Sequence, residues 1–204
     1  MIKKNLFIKN NIQKKYLNKS LKKLSKEFSK VISEINGDVQ SSKKTLNVLS
    51  NKFNFNFKIK DLQQFKKFKT ITFIGMGGSI LGAKAIHGFL NIKIKKKIYF
   101  FDDINSNKIS NLKKKENLNQ VLFLIISKSG NTIETLSNLF ALNIVKNNAK
   151  NIILISEKKD NLLFSLSKKF NLFYIEHKNY IGGRYSVLSE VGMTLPNHFL
   201  NISG

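Results

Sequence analysis

Cysteine is absent from the 204 residues, so neither a disulfide framework nor thiolate chemistry is open to this chain, and a reducing compartment suits it. Histidine is scarce. His87, His177 and His198 stand far apart, with no metal-ligand spacing among them. No apolar run reaches membrane-spanning length, and the lysine-rich start lacks a sustained apolar stretch followed by a small-residue cleavage site. These absences predict a cytoplasmic protein that holds no metal and touches no membrane. Acidic residues number 12 against 36 Lys plus Arg, a net charge of +24, and arginine is reduced to the single Arg184.

A basic excess of that size raises nucleic acid as a partner. Its distribution argues otherwise. Lysines recur in KSLKKLSKEFSK, KIKKK, NLKKKEN and SEKKD, scattered over loops and polar helix faces, and one arginine leaves little for base readout. Phenylalanine is plentiful but follows apolar periodicity, not an aromatic and glycine RNA-binding pattern. No specific nucleic acid is expected, only nonspecific attraction at low salt. Lysine used wherever a positive charge suffices makes Arg184 stand out, because its planar fork can hold two acceptors and stays ionised at any working pH. It sits in IGGRYS, where Gly182 and Gly183 let the backbone bend closely around a ligand. The competing reading is a structural arginine that bridges a carboxylate or a carbonyl.

What is present is a real core: 42% hydrophobic residues in a chain long enough for one generous domain, or a domain with an arm. Residues 11–36 have the pattern of a basic amphipathic helix. Leu17, Leu21, Leu24, Phe28, Val31, Ile32 and Ile35 follow three-and-four spacing, and Asn36 with Gly37 ends the run. A stripe of this kind more often packs on its own domain than lies on a membrane surface. Residues 38–69 form a polar, partly helical connector. From residue 70 strands and helices alternate, with strands predicted at 70–74, 97–101, 121–126, 151–155 and 172–175 and helices near 79–90, 106–115, 132–147 and 160–169. Strict alternation implies an α/β fold, a doubly wound parallel sheet of five strands with helices on both faces and ligands at the carboxyl ends of the strands. The division expected is an N-terminal helical arm and connector, 1–69, and an α/β domain, 70–204.

The richest stretch is VLFLIISKSGNTIET, residues 121–135. Six apolar residues read as a strand buried on both faces, and then polarity switches within one residue to Ser127, Lys128, Ser129, Gly130, Asn131 and Thr132. A helix starting near Thr132 would add unpaired N–H donors and partial positive charge, so hydroxyl, backbone and Lys donors can converge on a phosphate. Capping alone is the plainer alternative. The first strand ends in GMGGS, residues 75–79, with Gly82 a turn on, which suits close backbone approach to a ligand. A dinucleotide fingerprint beginning at Gly75 would need glycine at position 80, where Ile80 stands, although Asp102 and Asp103 end the next strand where a ribose-binding acid belongs.

Three turns thus fall on one sheet edge: GMGGS, SKSGNT and IGGRYS. Together FIGMGGSILGAKA, ISKSGNTIET and YIGGRYSVLSEVGMTLP resemble the sugar isomerase (SIS) family in its glucose-6-phosphate isomerase branch, from about Phe73 to Pro196. SKSGNT alone indicates a sugar-phosphate-binding domain of this family, and GGRYS after it in the right order makes the isomerase branch specific. The resemblance implies phosphate binding by Ser127, Lys128, Ser129 and Thr132, contact of Gly78 and Ser79 with the sugar, and Arg184 as the catalytic residue beside the reacting carbons. It also implies the substrates glucose 6-phosphate and fructose 6-phosphate, a cis-enediol intermediate, no metal or organic cofactor, and a homodimer. Of the seven Glu residues only Glu134 and Glu190 lie near the motifs. Neither matches the family's catalytic Glu, which is expected beyond residue 204 together with a second SIS domain. The alternative is a single-domain sugar-phosphate-binding protein or regulator without catalysis.

Overall fold

The computed structural model describes residues 14–194, with side chains from Lys23 onward; the first three positions of the predicted 11–36 helix, Pro196 and His198 lie outside them. The five apolar runs become β1 (Thr70–Gly75), β2 (Lys97–Phe101), β3 (Val121–Ile126), β4 (Ile152–Ser156) and β5 (Phe173–Glu176). They form one parallel sheet in the order β2-β1-β3-β4-β5. Strand boundaries fall within one residue of the sequence expectation. β1 and β3 pair from Thr70 with Val121 to Gly75 with Ile126. Between their carboxyl ends the strand order reverses, and a crevice opens there because the following helices go to opposite faces of the sheet.

The helices are α1 (Lys14–Gln40), α2 (Ile59–Leu62), α3 (Gly78–Leu90), α4 (Ser106–Lys115), α5 (Ile133–Leu142), α6 (Leu162–Lys169) and α7 (Glu190–Met193). Asn105 caps α4 by accepting from the Lys108 N–H, and Asn161 caps α6 through the Phe164 N–H. Side chains alternate across the sheet. Leu122, Leu124 and Ile126 of β3 face one core with Ile80 and Ala83 of α3 and Val191 of α7. Val121, Phe123 and Ile125 face the other, with Leu112 of α4, Leu139 of α5 and Leu163 of α6. β1, β3 and β4 are buried along their whole length; VLFLII of β3 is the unbroken apolar run such burial favours, whereas β1 carries Thr70 and Thr72 into it and β4 ends on Ser156. Leu62, Phe65 and Phe68, from the stretch read as a connector, lie buried in the first of these cores.

Three expectations about helices need correction. α1 does not stop at Asn36 and Gly37 but runs on to Gln40, since a single glycine costs a helix only about 1 kcal/mol. From Leu24 onward its stripe does not pack on the domain; the side chains of Leu17 and Leu21 lie outside those described. Leu24, Phe28, Val31, Ile32 and Ile35 stay exposed, and the domain is reached at the helix's end, where the Val39 carbonyl accepts from Asn47 Nδ2 at 2.9 Å. α5 ends at Leu142, short of residue 147, because Asn143 turns left-handed at φ 55° and sends Ile144 into the core. No described helix is long and apolar enough to cross a membrane.

Phe123 at the sheet's centre is fully buried. Phe123→Ala is expected to lower unfolding stability by about 3–5 kcal/mol, to be read from the urea midpoint at constant m-value.

Candidate functional site

β3 delivers Ser127 to the sheet's carboxyl edge with its N–H still bonded to the Ile155 carbonyl at 3.0 Å, so its side chain is fixed by the ladder. Its hydroxyl lies 2.8 Å from Thr132 Oγ1 and 3.4 Å from Ser129 Oγ, and those two are 3.5 Å apart. The Gly130 N–H donates to Ser127 Oγ at 3.1 Å. Gly130 is left-handed, φ 73°, and a Cβ there would run into the Asn161 side chain, so no other residue makes this turn without displacing α6. Three hydroxyls therefore converge at the start of α5, whose first N–H groups have no acceptor within the helix. The capping reading does not describe them, because Thr132 makes no side-chain cap bond and turns to Ser127 instead. Asn131 faces away, and its Oδ1 accepts from the Leu162 N–H at 2.8 Å.

Lys128 lies at the lip of this cradle. Its ammonium donates to the Asn179 carbonyl at 2.8 Å and pairs with Glu157 Oε1 at 3.4 Å. Glu157, just past β4, also pairs with Lys159 at 2.6 Å. Burial pushes its carboxyl up, but the hydrogen bonds and charges of Lys159 and Lys128 outweigh that and hold it below the usual carboxylate range. Neither Glu157 nor Lys159 was singled out in the sequence. The available signal was position: SEKKD follows a buried strand directly, and so opens on the same edge as SKSGNT.

The opposite wall is made by two glycine turns in contact. A Cβ on Gly78 would lie 2.6 Å from the Arg184 nitrogen and closer still to the Gly183 carbonyl carbon, so the first turn of α3 meets GGRYS backbone to backbone. Ser186 Oγ donates to the Gly183 carbonyl at 2.7 Å and lies 3.2 Å from the Gly78 carbonyl oxygen. Residues 183–188, GRYSVL, form a 3-10 helix leading into α7. Gly78, Ser79, Ser129, Thr132, Lys128 and Arg184 line one cleft of ≈ 560 Å³, which also takes in Glu157, Lys159 and Tyr185. Buried Ser127 completes the hydroxyl cluster at its floor. Arg184 is exposed and makes no hydrogen bond or ion pair among the described residues, so the reading of a structural arginine finds no partner for it.

Other candidates separate from this cleft. A larger groove, ≈ 990 Å³, opens at the opposite edge between Lys69, Gln120 and Lys150, at the amino ends of the strands and away from the three glycine-containing turns. Asp102 is occupied by Lys84 and Lys108 and Ile80 is buried in the core, so the dinucleotide comparison fails in space as in sequence. Glu190 is fully buried, paired with Lys178 at 2.9 Å, and does not line the cleft; nor does Glu134. Among the described residues no cluster of His, Asp and Glu could hold a metal ion. His177, at the end of β5, is 2% exposed, with Nδ1 2.9 Å from the Lys178 carbonyl oxygen and Nε2 without a hydrogen-bond partner among the described residues.

A five-stranded parallel sheet with helices on both faces and a cleft at its switch point defines a doubly wound α/β domain. The family model described as Phosphoglucose isomerase matches residues 16–200, and the chain belongs to that family. It is 37% identical over 142 residues to a glucose-6-phosphate isomerase of Borreliella afzelii, covering 64% of this chain and 26% of that protein. It is 35% identical over 162 residues to one of Acholeplasma laidlawii, covering 72% of this chain and 36% of the relative. A crystal structure of a glucose-6-phosphate isomerase from Chlamydia trachomatis superposes with TM-score 0.56 at 28% identity, over 67% of this chain and 28% of that one. The matched segment thus spans only about a quarter to a third of these relatives.

Two outcomes follow from this geometry. Gly78→Ala puts a methyl group where the Gly183 and Arg184 backbone lies, and should cost about 1–3 kcal/mol of stability by urea unfolding, with protease cleavage appearing in 181–188 as that segment is pushed away. Burial pushes the His177 imidazole below its ordinary 6.5, only partly offset by the Lys178 carbonyl and the Glu190 charge. The unfolded chain therefore binds this proton more readily than the folded one. Stability should decline as pH falls below 6.5 and level off once the folded ring itself protonates. In His177→Gln that part of the stability curve, measured by denaturation from about pH 7 to pH 5, should be flatter.

Proposed function

We propose that this chain carries the phosphate-anchoring part of an isomerase that interconverts glucose 6-phosphate and fructose 6-phosphate through a cis-enediol intermediate. The observation that carries this reading is the arrangement of the cleft, with the Ser127, Ser129 and Thr132 hydroxyls at a helix start on one wall and an uncommitted arginine held by two touching glycine turns on the other. In this reading the phosphate sits on the hydroxyls and the first N–H groups of α5, with Lys128 adding charge from the lip. The sugar extends past Gly78 and Ser79 toward Arg184. As a proton passes between C2 and C1, negative charge grows on the enediolate oxygens, and a guanidinium that cannot lose its own proton stabilises it without entering the transfer.

The base is a separate matter. Proton transfer needs a group within hydrogen-bond reach and with a pKa near the working pH. Glu157 is the carboxylate that lines the cleft among the described residues, and two lysines keep it a poor proton acceptor. The base is therefore assigned to sequence beyond this segment, in keeping with a match to a quarter or a third of the relatives. The same reading takes residues 70–204 as one sugar-isomerase domain behind an N-terminal arm, in a cytoplasmic enzyme that works as a homodimer without metal or organic cofactor.

The test uses the hydroxyl cluster. Ser127→Ala combined with Thr132→Ala should weaken fructose 6-phosphate binding by about 1–3 kcal/mol in calorimetry while leaving the circular dichroism spectrum unchanged. Unchanged affinity in a folded double variant would remove the phosphate assignment. Binding without turnover, in the chain and in any longer frame that contains it, would favour a sugar-phosphate-binding regulator.

A further inference from the structure

The segment that carries Arg184 is fastened at both ends by one buried ion pair. Lys178 precedes it, Glu190 follows it, and Nζ meets Oε1 at 2.9 Å with the Glu190 side chain fully buried and that of Lys178 13% exposed. The two residues are twelve positions apart, so their contact closes the intervening chain into a loop with Gly182, Gly183 and Arg184 on it. A third member comes from the N-terminal segment. Asn56 Oδ1 accepts from Lys178 Nζ at 2.7 Å, the Asn56 N–H donates to Glu190 Oε1 at 3.3 Å, and Asn56 Nδ2 donates to the Glu176 carbonyl at 3.0 Å. Thr45 Oγ1 adds a bond to the Tyr180 carbonyl at 2.8 Å.

A buried ion pair is seldom the most stable way to fill its volume, because desolvating two charges takes back much of their attraction. What such a pair supplies is direction, since neither partner can shift without leaving a charge uncompensated. The Arg184 guanidinium has no partner of its own among the described residues, so its place is set by how its backbone is held. We infer that the Lys178–Glu190 pair, with Asn56, is a positioning clamp for Arg184, through which the N-terminal segment takes part in the site. The inference rests on the reading of Arg184 as facing the sugar.

Arg184 is the sole arginine, so its Nε–H gives one unambiguous nitrogen-15 signal, and that makes the test direct. Affinities for inorganic phosphate and for fructose 6-phosphate are measured in the unaltered chain, Lys178→Met, Arg184→Ala and the double variant. Phosphate affinity should stay within about twofold in Lys178→Met, because the hydroxyl cluster is untouched and Arg184 keeps its charge. Fructose 6-phosphate affinity should fall about three- to tenfold in each single variant and no further in the double, since a clamp acts only through what it holds. The Arg184 Nε–H order parameter should drop in Lys178→Met. Unchanged sugar-phosphate affinity with an unchanged Nε–H signal would overturn the clamp, as would losses that multiply in the double variant. Asn56→Ala, on the exposed rim, should give a weaker form of the same pattern, and decides the matter if Lys178→Met does not fold. If the unaltered chain holds fructose 6-phosphate no more tightly than inorganic phosphate, the assignment of the cleft falls and the clamp with it, a result reached before any substitution is made.

Discussion

The contact of Gly78 with Gly183 is what the cleft depends on. In the sheet order β5 lies at one edge, and β4 and β3 separate it from β1. The chain that leaves β5 must therefore cross the carboxyl edge above two strands before it can meet α3, which follows β1. It comes this close only because position 78 has no side chain, since a Cβ there would overlap the Gly183 and Arg184 backbone. The crossing encloses the turn at the end of β3 between two walls. A methyl group at position 78 would open the enclosure, and the hydroxyl cluster would become an ordinary surface turn.

Around that contact the few acids are spent on lysines. Glu157 takes Lys128 and Lys159, Glu190 takes Lys178, Asp102 takes Lys84 and Lys108, and Glu116 takes Lys97. With 12 acids against 36 bases, this pairing leaves a large positive surplus. At the cleft it leaves a specific one, the arginine, whose neighbours hold its backbone and not its charge. If the cleft receives an anion, as proposed, nothing has to be displaced from the guanidinium when the ligand arrives.

Much of this was legible in the chain. Unbroken apolar runs such as VLFLII are what a strand covered on both faces requires, and the abrupt change to SKSGNT marks where that strand ends at the cleft. What eluded sequence reasoning depends on contacts between distant residues or on one backbone angle. ALNIV continues an apolar helical pattern, and only the left-handed turn at Asn143 ends α5 there. NG after Ile35 has the look of a helix stop, yet the helix passes through it. Lys178 and Glu190 look like two solvated charges, because nothing local says that one is fully buried and that Asn56 joins them. The arm's apolar stripe was visible in the sequence, but its exposure was not.

The wall that encloses the cleft joins residues 108 positions apart, Gly78 and Ser186. A ribosome adds on the order of 5–20 residues per second, so roughly 5–20 s separate the emergence of the first partner from that of the second. Before that interval ends β1 and β3 are both out of the ribosome, while Leu163, Ile175 and Val191, which belong to the cores on their two faces, emerge one after another and the last of them only after Ser186. Vectorial synthesis therefore delivers the wall of the cleft and the last of the core, Val191, together at the end, so that closing the one and completing the other belong to the same late stretch of chain.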